Sequence, residues 1–560
     1  MPAAFNASFV IMKSFYTTFF LFSIHLFAAS QIPVNHKIFG GQSNDNGFDV
    51  VSTSDGGYAM TGYSNSFTNG DYDVLLTKLD SNCNLQWSRV YGGTGSDQAL
   101  QLVQTNDGGF ALAGKSTSFG AGNFDAMLVR TDANGNLLWI KSYGGSAEER
   151  FLNLRETTDH GFILAGSTHS FGQGNYDMLF IRTDPNGDTL WTKILGGINF
   201  DQGTDAEQTT DGGFIFSGRV TGPGSSFPDV CLVKTNSGGD TLWTSVFGSS
   251  GWDEGMKVKQ TFDGGYIVTG ASTGFGGTGY DVYLNKIDGT GDITWSKRYF
   301  GNHNEATYDV LQLPDSGFII TGETESFGSN HLRRKQADTF DSRNIQPSPI
   351  QTLGSEHSNV LVIRTMANGD TLWTHTYGGQ KMDEAFSIIQ KQDHGFMIAG
   401  YSLSFGSDSI NFFLVNTDNL GFSQCFISTA GPSVTTPPTI VKSRFLQITS
   451  GLFVTTVTDI LPIPTVAQHD VCSTFVSINE PSATNEAISI FPNPVNQKLI
   501  VSFAFFETVR NEVIIVYDAT SREVYNSRVT DSEKIIDVSQ WKKGVYILKI
   551  GNFRKKILKL

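Results

Sequence analysis

The sequence predicts an all-β protein: a seven-bladed β-propeller of four-stranded blades, closed by an N-terminal strand and followed by a small C-terminal β-sandwich. Three observations predict it. A unit of 52 residues recurs along most of the chain. The composition suits strands and tight turns, with 61 Gly, 12% aromatic residues and only 16 Pro in 560 residues. The chain then changes character after residue 428, and again at residue 488.

The first 30 residues read as a secretory signal peptide, with Met12 as an alternative start. "MKSFYTTFFLFSIHLFAASQ" has a basic residue (Lys13), an apolar run and the small residues Ala28, Ala29 and Ser30 before Gln31. The apolar run is shorter than the roughly 20 residues that span a bilayer as a helix. No later segment is apolar for long enough to do so.

Residues 31–428 carry the repeat. A D-x-G turn stands at Asp55, Asp107, Asp159, Asp211, Asp263, Asp315 and Asp393. Five intervals are 52 residues, and the last is 78, one unit plus a 26-residue insertion. Trp87, Trp139, Trp191, Trp243, Trp295 and Trp373 keep the same register. Each unit reads as four strands, a to d, for example "DQALQLVQT", "GFALAGKST", "FDAMLVRTD" and "NLLWIKSYG". Units of this length and content are propeller blades. The glycines of "NDGGFALAG" therefore make the a–b hairpin turn. A phosphate-cradling loop would lead into a helix. Seven a-b-c sets predict seven blades. The seventh lacks a good strand d: in "GFSQCFIS", Cys425 takes the Trp position. "HKIFGG" at the mature N-terminus matches strand d and is expected to complete that blade. "GFSQCFIS" then adds at the edge or leaves the ring.

Residues repeated in every blade are expected to pack blades together, the Trp and the "SF" of "TSFG" among them. The basic residue before the c–d turn (Lys78, Arg130, Arg182, Lys234, Lys286, Arg364) is expected in an ion pair or in solvent. Two acidic sets recur. Asp45, Asp97, Glu149, Asp201, Asp253, Glu305 and Asp383 open strand a; Asp73, Asp125, Asp177, Asp229 and Asp281 open strand c, with Asn359 and Asn411 in the last two units. The first set either accepts hydrogen bonds from Gly-rich loops or forms a cation-binding ring. No cofactor or resident metal is expected; calcium is the ion the acidic set leaves open, although calcium prefers several oxygens from one loop.

Departures from the repeat are the better functional clues. The insertion spans 329–355 and brings Arg333, Arg334 and Lys335 to the b–c loop of the sixth unit. Phe200 and Trp252 are extra aromatics in the d–a loops of the fourth and fifth units. Together they are the candidate ligand face. No HExxH, GxSxG or P-loop occurs. Of the four cysteines, Cys425 and Cys472 are the expected disulfide and Cys83 and Cys231 are expected free. The net charge of −15 argues against nucleic-acid partners.

Residues 429–487 read as a Thr/Pro-rich linker with short β segments. From 488 the chain holds 12 Lys+Arg against 7 Asp+Glu, and alternating runs such as "LIVSFAF", "EVIIVYD" and "GVYILKI" predict the sandwich. "ISIFPNPVNQKLIVSF", "VIIVYDATSREVY", "DVSQWKKGVYILKI" and the final "KKILKL" resemble the type A C-terminal sorting domain of the Bacteroidota type IX secretion system. Pro492, Asn493, Pro494, Tyr517, Asp518, Gly544 and Tyr546 carry the likeness; Ser521 stands where that family usually has Gly. The resemblance implies export through Sec and then the outer membrane, with the type IX machinery as partner and the tail as address. The 52-residue units also resemble propeller repeats of secreted bacterial proteins. "DTL" at Asp188, Asp240 and Asp370, with "DSI" at Asp408, resembles the Bacteroidota O-glycosylation acceptor.

The sequence thus favours an extracellular or cell-surface propeller that binds a glycan or protein ligand without catalysis. A secreted hydrolase or lyase using carboxylates at the channel mouth, and a structural surface-layer component, are the alternatives.

Overall fold

The computed structural model describes residues 36–68, 71–222, 225–275, 279–328, 357–406 and 409–423. It further describes strands between residues 427 and 470 and the segments 488–491, 497–503, 512–518, 522–550 and 553–559. The signal-peptide reading, the 329–355 insertion with Arg333, Arg334 and Lys335, both cysteines of the expected disulfide and Pro492–Pro494 lie outside the described residues. The chain forms two compact units, Met1–Cys472 and Ser473–Leu560. All described elements are strands.

The first unit holds seven antiparallel sheets with propeller-like strand order. Sheet 1 has strands a Asp45–Ser52, b Tyr58–Ser64, c Asp73–Leu79 and d Leu85–Tyr91. The strands a of sheets 2 to 7 are Asp97–Gln104, Glu149–Glu156, Gln202–Gln208, Asp253–Gln260, Glu305–Gln312 and Asp383–Gln390. In sheet 7 the fourth place is taken by His36–Gly40, with Phe39 opposite Phe412 and His36 opposite Val415.

The a–b turn shows why the D-x-G signal repeats. Gly56 has φ +81°, which costs glycine nothing. Asp55 accepts from the Thr53 hydroxyl at 2.5 Å, the Gly57 amide at 3.0 Å and Lys78 Nζ at 2.8 Å. Burial works against its charge, but these donors prevail and hold the carboxyl at about 2. The basic residue before the c–d turn is thus tied to the acid of its own a–b turn. Arg130 with Asp107, Arg182 with Asp159 and Lys234 with Asp211 repeat the pair.

Apolar clusters lie between consecutive sheets, and the seventh sheet packs on the first. Phe39, Phe412, Leu414 and Met397 of sheet 7 share one cluster with Val50, Met60 and Leu75 of sheet 1. Tyrosines add polar ties: Tyr91 Oη donates to Gly135 O and Tyr143 Oη to Gly187 O, each at 2.7 Å across sheets. The Trp side chains pack in the same seams. A Cβ on Gly135 would sit 2.7 Å from Trp87.

Each strand a carries a bulge at its third or fourth residue. A bulge re-aims the extra side chain. The seven extra residues, Phe48, Leu100, Leu152, Thr204, Met256, Tyr308 and Phe386, line a single cavity of about 60 Å³ with Gln101 and Lys257.

The stretch read as a linker supplies outer strands. Ile427–Ser428 pairs with strand d of sheet 6, Ser433–Thr435 with sheet 5, Ile440–Lys442 with sheet 4, Gln447–Thr449 with sheet 3 and Phe453–Val457 with sheet 2. Ala467–Asp470 then pairs with His36–Gly40 in sheet 7. The segment runs backwards past the sheets as a belt. The last two residues of "GFSQCFIS", Ile427 and Ser428, therefore pair in sheet 6. Sheet 1 has no fifth strand among the described residues.

The second unit has two antiparallel sheets around one core of Leu499, Val501, Ile514, Val516, Ile536, Leu548 and Ile557, among others. Tyr517 and Asp518 lie in strand Val513–Asp518, which pairs with Gly544–Ile550, and Asp518 stands opposite Tyr546. The buried Tyr546 donates to Lys542 O at 2.8 Å, and its ring lies 4.7 Å from Trp541.

Candidate functional site

The loop-bearing side of the cavity holds two kinds of position: those that keep one residue type in every sheet, and those that change. The constant acids are tied into the loops. Asp45 is fully buried and accepts from Gly41 N at 2.6 Å, Ser64 Oγ at 2.5 Å and Ser66 Oγ at 2.8 Å. Asp97 binds Gly93 N and Ser118 Oγ, and Glu149 binds Gly145 N and Thr168 Oγ1. Asp201 takes the Gly197 and Thr221 amides, Asp253 takes Ser249, Glu305 takes Gly301 N, and Asp383 takes Gly379 N. The repeated "SF" serine is thus a hydrogen-bond donor to the acid of strand a. No group of three or more metal-ligating side chains occurs among the described residues.

The strand-c acids lie beside these from the neighbouring sheet. Burial first, and then the charge of Asp97, push Asp73 up to about 7. Burial and Asp201 do the same to Asp177. Sheets 6 and 7 have Asn359 and Asn411 there, so those contacts lack a second charge.

The changing positions are the second residue of strand a and the residue opposite it on strand b. Facing pairs are Asn46 and Tyr63, Gln98 and Lys115, Gln202 and Arg219, Ala306 and Glu323, and Glu384 and Tyr401. Arg150 faces Ser167 and Glu254 faces Ala271. These side chains stand two residues above the cavity-lining ones on the same strands, so they rim its mouth. Cations gather on sheets 2 to 4 (Lys115, Arg150, Arg219). Carboxyls gather on sheets 5 to 7 (Glu254, Glu323, Glu384).

Phe200 and Trp252 belong to this rim. Arg219 Cζ lies 4.7 Å from the Phe200 ring and 4.8 Å from the Trp252 ring. Trp252 Nε1 donates to Glu254 Oε2 at 3.2 Å, and Arg219 Nη1 pairs with the same oxygen. Both aromatics are half-buried.

Sequence reasoning missed the opposite wall. Glu323 and Glu384 are each 1% exposed. Tyr308 Oη donates to Glu323 Oε1 at 2.7 Å and Tyr401 Oη to Glu384 Oε2 at 2.8 Å. Burial pushes Glu323 up to about 7. Burial first, and then the charge of Glu323, push Glu384 well above the usual carboxylate range. The available signal was type change within a fixed register: the position of Glu323 holds Tyr, Lys, Ser, Arg or Ala in other units, and that of Glu384 Asn, Gln, Arg, Glu or Ala.

Below the rim the cavity floor is closed by structural links. Asp49 Oδ2 accepts from Leu102 N at 2.8 Å, Asp205 Oδ2 from Val258 N at 3.0 Å and Asp309 Oδ2 from Ile388 N at 3.0 Å, each joining neighbouring sheets. Lys257 Nζ lies 3.2 Å from Gln101 Oε1 and 3.4 Å from Asp205 Oδ1. Cys83 and Cys231 are buried thiols away from the rim; burial raises Cys83 to about 12, and Asn416 Nδ2 approaches its sulfur at 3.9 Å. Neither has a thiolate's reactivity.

The C-terminal strands carry a second kind of function. Residues 489–559 match the family model of the secretion system C-terminal sorting domain. The tail is a type IX sorting domain. It marks the chain for export to the cell surface or the extracellular space. Across the whole chain, the Porphyromonas gingivalis protein PorZ, described as an essential bacterial surface component of the type IX secretion system, is similar at 9% identity and a TM-score of 0.35. That likeness covers 93% of this chain and 59% of PorZ. Sqt1 of Chaetomium thermophilum is similar at 10% identity and a TM-score of 0.38, covering 68% of this chain and 97% of Sqt1. The regulatory protein FlaEY of Caulobacter vibrioides is 28% identical over 180 residues, which is 29% of this chain and 18% of that protein.

Proposed function

We propose that the sorting domain exports a seven-bladed propeller that binds an extracellular glycan or protein ligand at the rim of its central cavity, without catalysis. The cores between consecutive sheets, the seventh sheet on the first included, support the seven-bladed architecture. One observation carries the binding reading: five buried polar atoms without partners lie at the changing rim positions. They are Asn46 Oδ1, Arg150 Nη2, Gln202 Nε2, Arg219 Nε and Glu384 Oε1. A buried polar atom left unpaired costs on the order of 1–3 kcal/mol, and a ligand would recover it. Binding of the full chain to glycan and matrix-protein arrays tests the reading. Loss of an array signal on Trp252→Ala is expected; equal binding by that variant would move the site elsewhere.

A second reading is favoured by the Glu323–Glu384 pair, two neighbouring buried carboxyls that burial raises above the usual range. Such a pair suits general acid chemistry on a glycosidic or peptide bond. A hydrolase screen decides it: turnover abolished by Glu384→Gln would replace the non-catalytic reading.

A further inference from the structure

The mouth has an uneven supply of hydrogen-bond donors, and their placement defines a ligand. Arg150 is 4% exposed. Its Nε donates to Ser167 Oγ at 3.0 Å and its Cζ lies 5.4 Å from the Tyr176 ring. Its Nη2 has no partner. No carboxylate pairs with it among the described residues. Glu148 and Glu254 act on it without forming an ion pair, and a buried guanidinium lacking a paired carboxylate is costly. Burial, with Arg219 adding repulsion among the lesser causes, pulls it down to about 10.

On the neighbouring sheet, Gln202 and Arg219 face each other across strands a and b. Gln202 is 1% and Arg219 5% exposed. Gln202 Nε2 and Arg219 Nε are both unpaired. Glu254 occupies another edge of the Arg219 guanidinium, at Nη1. Lys115, over the Phe124 ring at 4.0 Å, adds a third cation one sheet away, held down to about 8 by burial first and then by Arg150. Three buried N–H groups without acceptors, on Gln202 and on two guanidiniums of which one alone is paired with a carboxylate, are the complement of one anionic group. The unpaired atoms on the other side of the rim, Asn46 Oδ1 and Glu384 Oε1, suit hydroxyl groups, which both donate and accept. Phe200, Trp252 and Tyr176 supply flanking rings.

We propose that Arg150, Gln202 and Arg219 form an anion subsite that takes the carboxylate of a uronate-bearing glycan, its hydroxyls reaching Asn46 and the Glu384 side of the rim. This deepens the binding role proposed above and rests on it. Arg150 supplies a charge with no ion-pair partner among the described residues, Arg219 a second guanidinium, and Gln202 a neutral donor facing Arg219.

The test is isothermal titration of the full chain with three probes: an oligogalacturonate, the same oligosaccharide with its carboxyls reduced to alcohols, and oligoglutamate. The oligogalacturonate is expected to bind more tightly than the reduced form, and less tightly as salt is raised. Arg150→Gln is expected to weaken it by about tenfold or more, the scale of one charge-assisted contact. The melting temperature of that variant is expected to stay level or rise, because an uncompensated buried charge is removed; a purely structural arginine would lower it. Equal binding of the acidic and reduced sugars, or no loss on Arg150→Gln, overturns the subsite while leaving the binding role in place. Preference for oligoglutamate overturns the glycan assignment. Failure of the wild-type chain to bind any glycan or protein on the arrays removes the binding role itself, and the subsite with it.

Discussion

The repeated acids of strand a each accept hydrogen bonds from their own loops, and the repeated strand-c acids lie beside them. Asp177 illustrates the cost. Its carboxyl is pushed up to about 7 by burial and by Asp201, against about 4 in an unfolded chain. The folded state therefore holds a proton that the unfolded state releases between those values. The stability contribution is complete below pH 4 and is lost as pH rises through 7. Asp177→Asn should thus gain on the order of 1 kcal/mol over wild type at pH 8 and nothing at pH 4, read by urea denaturation at both. Asn411 shows that the loop accepts an amide: its Nδ2 donates to Ser409 O at 2.8 Å. A gain equal at both pH values would refute the shared-proton account. The a–b turn gives a second case. Gly108 has φ +83°, and a Cβ there would touch only Ala133 at 3.8 Å. Gly108→Ala should cost about 1 kcal/mol through backbone conformation alone, since His160, Ser316 and His394 sit at equivalent positions with φ of 65–66°. The constant residues were legible in the sequence because repetition exposes them. The rim was not: Arg150, Arg219 and Glu323 each occur once in their register and Glu384 shares its own only with Glu254, and such scattered occurrences look like noise until the fold gathers them.

At the scale of elements, strands a to d were legible because each is bounded by turn residues in a fixed register. The bulge in strand a was not, since one unpaired residue leaves the spacing of the repeat unchanged. The belt was hidden for another reason. Its strands run from two to five residues, and their partners are far away in sequence: Gln468 pairs with Phe39. Yet partner positions step by seven from Ile427 to Val434, Val441 and Ile448. Each meets a residue at or one before the end of strand d in successive sheets, Tyr377, Tyr299, Phe247 and Leu195. Replacing residues 433–457 by a Gly/Ser linker of equal length should speed amide exchange in strands d of sheets 2 to 5. Strand Leu85–Tyr91 of sheet 1 should not change. Uniform exchange across all strands d would show that the belt adds nothing at these edges. Closure depends on another local element. Phe39 is fully buried between sheets 7 and 1, so Phe39→Ala should cost about 3–5 kcal/mol. A loss below about 1 kcal/mol in equilibrium unfolding would mean that His36–Gly40 is dispensable to the seam.

At the scale of the whole molecule, charge and function divide along the chain. The full sequence carries 39 basic and 54 acidic side chains, while residues 488–560 carry 12 and 7, so the tail opposes the sign of the rest. The tail has its own core of eleven buried residues and counts as a separate compact unit. An address that folds on its own need not disturb its cargo, and it can be removed after use. Truncation after Cys472 should therefore leave the melting temperature and array binding of the first unit unchanged, and retain the protein inside a type IX host. Residues 488–560 fused behind a Sec-targeted reporter should carry that reporter outside. Cell fractionation reads both arms. Export of the truncated chain would place the address elsewhere. Retention of the reporter fusion would mean that the first unit contributes to recognition, and that address and cargo are not separable as their independent cores imply.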